Sequence, residues 1–394
     1  MSASAGAVDP PRLPGQPAVA LAGLLALVGG ALALGAGSWK LAALFVVGGV
    51  LGVSLYHAAF GFTSAYRAAF VRRDVSGVTA QLVMLAAAML LFTPVLAQGS
   101  VFGHGVVGAV APVGVQVAVG SLMFGLGMQL GGGCGSGTLY TVGGGSTRMI
   151  ATLAAFIAGS FRGSLDLGFW AQAPRWESIS LARELGWAPA LALQFGVLLA
   201  IWLGLRLWAR GAQQGRLWDG GFGWRRLVAG PWPLLFGAGL LALLNWLTLL
   251  IAGHPWTITW AFTLWGAKAA AALGWDPAGS AFWSGGFPGR ALSRGVFADV
   301  TSIMDIGIVV GALTAAGFAG RFRPPLKVAP RALAAAVIGG LLMGYGARLA
   351  FGCNIGAFFS GVASTSLHGW LWIVCALAGT WIGVRLRPRF GYTD

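Results

Sequence analysis

The stretch Leu126-Gly-Met-Gln-Leu-Gly-Gly-Gly-Cys134-Gly-Ser-Gly-Thr138 decides how this chain is read. It closes an apolar run, 113–131, and sets a thiol among glycines. A second stretch, Tyr345-Gly-Ala-Arg-Leu-Ala-Phe-Gly-Cys353-Asn-Ile-Gly356, repeats the arrangement. Each cysteine stands seven residues after a glycine (Gly127, Gly346) and three before another (Gly137, Gly356). Glycine opens backbone angles closed to other residues, so each cluster predicts a break at which one helix stops and a shorter one starts. The restarting helix aims free N–H groups and its positive dipole end at the thiol, which suits a small anion. Gly133, Gly135, Gly137, Gly352 and Gly356 let main chain approach a ligand, while Ser136, Thr138 and Asn354 add polar groups. The competing reading makes each cysteine a small apolar packing residue. Two at one offset argue against it, whereas Cys375, in an apolar helix without a glycine cradle, fits packing.

Working outward, 57% of the 394 residues are hydrophobic and 9% charged, with mean hydropathy +0.79. A soluble domain carries roughly 25% charged residues, so the chain reads as an all-α polytopic membrane protein. Candidate spans are 18–36, 40–58, 77–97, 113–131, 147–160, 188–208, 231–251, 256–273, 299–319, 333–351 and 369–386. Shorter half-helices are expected at 60–71, 135–143, 281–288 and 354–363, which leaves about nine to eleven transmembrane helices with re-entrant or broken segments between them. The 65 glycines and 18 tryptophans suit close helix packing and interfacial anchoring. Residues 1–16 form a polar tail without a signal peptide's charged start, so the first apolar run is expected to be retained.

The formal charge is +15. Its cations lie between apolar runs rather than on one soluble face, so topology and anion attraction explain them and nucleic acid is not an expected partner. Four clusters, Arg67/Arg72/Arg73, Arg206 to Arg226, Arg321 to Arg331 and Arg385 to Arg389, all ask to be cytoplasmic, which eleven simple crossings cannot satisfy. Shifting Gly127–Gly137 by 219 positions lands on Gly346–Gly356, and Phe62 to Arg67 echoes Phe262 to Lys268. Two internal repeats follow: a first over 17–205, a basic linker at 206–230, a second over 231–387, and a tail at 388–394. Interrupted helices in duplicated halves are how many transporters build a midplane site.

Arg67, Lys268 and Arg348, inside or beside apolar runs, are candidates for steering an anion, with Asp299 and Asp305 as alternative internal counter-charges. His57, His254 and His368 fall near helix ends and read as interfacial. With three cysteines, no CxxC and no Cys/His cluster, neither a disulfide framework nor a metal site is expected. Nothing resembles a nucleotide-binding loop or a catalytic triad, so no cofactor is expected and the chain is not read as an enzyme.

The two cysteine motifs, with Gly143-Gly-Gly-Ser146, resemble the YeeE/YedE family of sulfur transporters over about residues 40–386. The resemblance implies a protein of the bacterial inner membrane, shaped like an hourglass, in which half-helices meet at a waist and thiols contact thiosulfate in turn. Family members with three such thiols carry one on the first broken segment; here that segment reads His57-Ala-Ala-Phe-Gly61-Phe-Thr-Ser-Ala-Tyr-Arg67. A two-cysteine gate is therefore expected in place of a three-cysteine relay. The alternatives are a membrane thiol enzyme exchanging persulfide between Cys134 and Cys353, or a subunit docking a soluble sulfurtransferase of the TusA type.

Overall fold

A computed structural model describes residues 15–325 and 327–392. The tail expected over 1–16 lies outside the described residues except for Gly15 and Gln16, as do the last two residues of the tail over 388–394. The first half contains α1 (Pro17–Gly35), α2 (Trp39–His57), α3 (Phe62–Arg72), α4 (Ser76–Gln98), α5 (Val115–Gly131), α6 (Gly135–Gly143), α7 (Thr147–Leu165), α8 (Leu167–Trp170), α9 (Leu181–Leu185) and α10 (Trp187–Trp208). After α11 (Trp224–Ala229) come α12 (Leu234–Ala252), α13 (Thr259–Ala272), α14 (Gly286–Ser293), α15 (Val300–Phe318) and α16 (Pro330–Leu349). One π-helical turn, Asn354–Phe359, leads into α17 (Ser360–Ala363) and then α18 (Leu367–Leu386). Two short antiparallel pairs complete the fold: β1 (Ser100–Val101) with β2 (His104–Gly105), and β3 (Pro112–Gly114) with β4 (Arg175–Ser178).

Among the described residues, nine helical stretches are long and apolar enough to cross a membrane. The helices expected near 147–160 and 256–273 form, but neither is among the nine. Helix α13 has 14 residues, about 21 Å at 1.5 Å per residue and short of a hydrocarbon core of roughly 30 Å. Arg148 and Arg162 lower the hydropathy of α7.

Glycine sets the helix crossings. Gly48 and Gly52 on α2 lie against Met304 and Ile308 on α15, and Gly307 and Gly311 return the contact on Phe45 and Gly49. Helix α5 meets α18 through Gly125 on Ala376 and Gly379 on Leu122, and α7 meets α16 through Gly159 on Leu341 and Gly344 on Phe156. Helices α5 and α16 run antiparallel: a Cβ on Gly120 would lie 2.6 Å from the Gly346 carbonyl, and one on Gly127 would lie 2.7 Å from the Gly339 carbonyl. Backbones this close exclude any side chain, which is how small residues hold membrane helices together where no hydrophobic force acts between them.

The connections sort to two ends. At one, Arg73 stacks on Trp208, Asp74 accepts the Gly215 N–H, Thr147 donates to the Pro325 carbonyl, and Arg148 and Arg387 both stack on Tyr392. Tyr56 on Gly144 and His57 on Gly230 join these contacts, so all four basic clusters share that end. At the other end β3 pairs with β4, Val107 donates to the Gly253 carbonyl, and Leu181 donates to the Thr365 carbonyl. The first residues of α3, α6, α13 and the 354–363 segment, Phe62, Gly135, Thr259 and Asn354, are all buried. His57 and His368 do not read as interfacial: both are buried, His57 against Trp232 and His368 in a hydrogen bond with Ser366 of 2.6 Å.

Candidate anion passage at two helix breaks

Both predicted breaks form, and they share one backbone recipe. Helix α5 ends at Gly131, Gly132 turns through φ +89°, and Cys134 caps α6 with extended angles of −82° and −163°. Helix α16 ends at Leu349, Phe351 and Gly352 turn through +59° and +148°, and Cys353 caps the π turn at −100° and −165°. At Gly352 a Cβ would lie 2.8 Å from the Ala357 nitrogen, with φ +148°, so only glycine fits; at Gly133 it would lie 3.0 Å from the Gly137 carbonyl carbon, a tight approach that neighbours would have to yield to.

The two thiols come together in the interior. Cys134 and Cys353 are both buried and free, and a Cβ on Gly135 would sit 3.0 Å from the Cys353 sulfur. The Ser136 hydroxyl lies 3.5 Å from the Cys134 sulfur, and Gly137 packs against that sulfur. Two further helix starts close on the same place. The segment before α13 touches both breaks, Ile258 at Gly135 and Thr257 at Gly356. Helix α3 begins beside α6, with Gly61 near the Tyr140 hydroxyl, and Phe62 meets Phe358 of the π turn edge to face. Helix N-termini from α3, α6, α13 and the 354–363 segment thus converge on two thiols, and their unpaired N–H groups and positive dipole ends favour an anion there.

The remaining sequence candidates divide. Gly133, Gly135, Ser136, Gly137, Gly352, Asn354 and Gly356 all lie at the breaks. The Thr138 hydroxyl is occupied, donating to the Cys134 carbonyl at 2.8 Å and locking the first turn of α6. Lys268 is elsewhere: its ammonium donates to the carbonyls of Leu292 and Arg294 and holds the end of α14. Arg348 packs its guanidinium over the Phe282 ring, 5.1 Å from the centroid. It does not pair with Asp299, whose carboxylate takes the Trp260 indole and the Ser302 amide and hydroxyl. Arg67 is half-buried on α3. Cys375 lies half-buried on α18, apart from both breaks.

Sequence reading did not single out Tyr66. Its hydroxyl is buried and faces the Asn354 amide without closing a hydrogen bond, and neither end of that amide has a partner among the described residues. Buried polar groups are normally satisfied, so this pair presents unmet hydrogen-bonding capacity beside the thiols. The available signal was a tyrosine one turn into a short half-helix, next to Arg67.

Two clefts open at the two ends of the protein. One of about 180 Å³ reaches Gly61 and Ser64 past Arg72 and Ser76 at the basic end. The other, about 170 Å³, is lined by His254, Trp260, Arg290, Arg294, Asp299 and Thr301. Among the described residues, nine candidate spans and a buried, glycine-lined meeting point of helix starts are those of a multi-pass membrane protein.

The chain belongs to the sulphur transport family, which matches residues 57–382. It is 27% identical to the thiosulfate transporter TsuA of Spirochaeta thermophila over 85% of this chain and 96% of that protein. It is 32% identical to the probable transporter YedE of Escherichia coli over 41% of this chain, and that match spans 39% of YedE. A shorter match, 36% identical over 21% of this chain and 24% of the relative, joins it to the thiosulfate transporter TsuA of Escherichia coli.

Proposed function

We propose that this chain carries a small sulfur-containing anion, thiosulfate foremost, across the bacterial cytoplasmic membrane through a constriction made by Cys134 and Cys353. One observation carries the reading: the Cys353 sulfur lies against Gly135, beside Cys134, where the helix starts meet. A neutral thiol donates to the terminal sulfur of thiosulfate, while main-chain N–H groups at the helix starts receive its oxygens. Tyr66 and Asn354 supply further hydrogen bonds. Multiple weak contacts suit passage, because an anion held too well at one site does not leave.

The architecture behind this is two repeats of inverted topology with half-helices that enter partway and turn back. The shift of 219 positions carries Gly120 to Gly339 and Gly127 to Gly346, so it exchanges the Gly120–Gly346 contact with the Gly127–Gly339 contact. The same exchange turns α5 on α18 into α16 on α7, and α1 on α15 into α12 on α4. Antiparallel α5 and α16 favour an axis in the membrane plane. The basic end then faces the cytoplasm, where a soluble sulfurtransferase of the TusA type would receive the imported sulfur.

Uptake of radiolabelled thiosulfate by cells lacking other sulfur importers tests the reading. Wild type is expected to restore uptake, and Cys134→Ala and Cys353→Ala to lose most of it. Undiminished uptake in both variants would remove the thiol constriction.

A further inference from the structure

Asp305 is a buried acid that the passage described so far does not use. It is fully buried in α15, and neither carboxylate oxygen has a hydrogen-bond partner among the described residues. A bare carboxylate there would be strongly disfavoured by the loss of water, and within an anion passage it would also repel the cargo. Its placement is specific. Asp305, Val309 and Ala312 form one stripe of α15, and Gly143 of α6 packs on Val309 and Ala312, so Asp305 lies on the stripe that faces the half-helix capped by Cys134. One turn earlier on that face stands Thr301, which lines the 170 Å³ cleft. The cleft thus ends one helical turn from the carboxylate.

Around Asp305, charge is sparse. Of the elements packed on α15, α1 and the Val296–Ala298 turn carry no titratable side chain. Helix α2 carries Lys40 at one end and Tyr56 and His57 at the other, and α6 carries Tyr140 with Cys134 as its cap. Lys268 of α13 is bound to carbonyls of Leu292 and Arg294, and α11 carries Arg225 and Arg226, the latter paired with Asp219. On α15 itself Asp299 is occupied by Ser302 and Trp260. Among the described residues no cation is bonded to Asp305, and no group of three or more His, Cys, Asp or Glu could hold a metal ion. A lone carboxylate suits a proton, whereas a hard metal cation takes several oxygen ligands.

We propose that Asp305 is the coupling site of the transporter, binding a proton that crosses together with the anion; this rests on the transport reading above. A proton entering by the cleft adds to a carboxylate oxygen, and the neutral acid removes the charge opposing the anion. On the other side the proton returns to water and the carboxylate re-forms. No bond to the substrate is made or broken. Because protonation favours anion entry, bound anion favours protonation to the same extent.

Purified full-length protein in proteoliposomes tests this with labelled thiosulfate and a pH-sensitive dye inside. For wild type, thiosulfate entry is expected to acidify the lumen, and an imposed gradient of one pH unit to raise accumulation about tenfold at one proton per anion. Asp305→Asn is expected to exchange labelled for unlabelled thiosulfate, which reports a folded passage, yet to show neither acidification nor pH-driven accumulation. Asp305→Glu is expected to keep coupling with a shifted pH profile. The proposal is overturned by wild-type thiosulfate entry without acidification, by Asp305→Asn accumulating like wild type, by Asp305→Glu behaving as uncoupled, or by a sodium gradient substituting for protons. Wild type that neither accumulates nor exchanges thiosulfate refutes the transport reading, and this inference with it.

Discussion

The two cysteine breaks are alike in backbone and unlike in what surrounds each sulfur. Cys134 caps nine residues of regular helix whose first turn reads Gly-Ser-Gly-Thr, with the Ser136 hydroxyl 3.5 Å from its sulfur and Thr138 tying down its carbonyl. Cys353 caps a π turn with isoleucine where the first break has serine, and its sulfur rests on Gly135 across the interface. A π turn inserts an extra residue into the helical path and is frequent at functional sites. The difference teaches that the two matched breaks share where a thiol is placed but not the donors beside it. On the proposed reading, passage uses two unequal stations, one thiol with a hydroxyl and one without.

Replacing the lone thiol is expected to do most. Cys353→Ala is predicted to cut thiosulfate uptake roughly 10- to 100-fold, the scale of one hydrogen bond to a charged group, while Cys134→Ala falls less because Ser136 remains. Equal losses would erase the inequality. Next, Gly135→Ala places a methyl 3.0 Å from the Cys353 sulfur, and overpacking of about 1–3 kcal/mol is predicted to lower the maximal rate with little change in the yield of folded protein. Unaltered kinetics would separate the two stations. Ser136→Ala is predicted to raise the half-saturating thiosulfate concentration about three- to tenfold, as for loss of one neutral hydrogen bond. No change would leave both thiols acting alone.

The smallest effect lies outside the spans. Burial opposes ionisation of Asp74, but the hydroxyl and amide of Ser76, the Gly215 amide and nearby Arg72 outweigh it and hold the carboxyl below the usual aspartate range. A depressed folded-state value means the stabilisation is present above the unfolded aspartate value and is lost as pH falls through the folded one. Asp74→Asn is predicted to cost under about 1 kcal/mol after solvent screening and to flatten the acid limb of the melting temperature against pH. An unchanged acid limb would remove Asp74 as an anchor of the basic end.

Much of this was legible because the relevant signals are local. Apolar length places α1, α2, α4, α5, α10, α12, α15, α16 and α18 within a few residues, and glycine clusters mark where α6 and the 354–363 segment begin. The roles of cations were not legible. Lys268 is spent on two carbonyls and Arg348 on an aromatic ring; the expected Arg348–Asp305 pairing fails because α15 and α16 are not packed side by side in the bundle. Tyr66 was likewise hidden, since a hydroxyl's missing partner is a property of three dimensions.

By itself the sequence determined that this is a membrane protein, that its helices break at two matched cysteines, and that cations outnumber anions. Those follow from hydrocarbon thickness, from the angles glycine permits, and from counting charge. Only the tertiary structure decided that the Cys353 sulfur lies against Gly135 beside Cys134, that Ile258 closes on Gly135 from a further helix start, and that the buried Asp305 carboxylate has no partner among the described residues. The physical reason is that convergence depends on glycine crossings such as Gly120 on Gly346, which bring together residues about 220 positions apart.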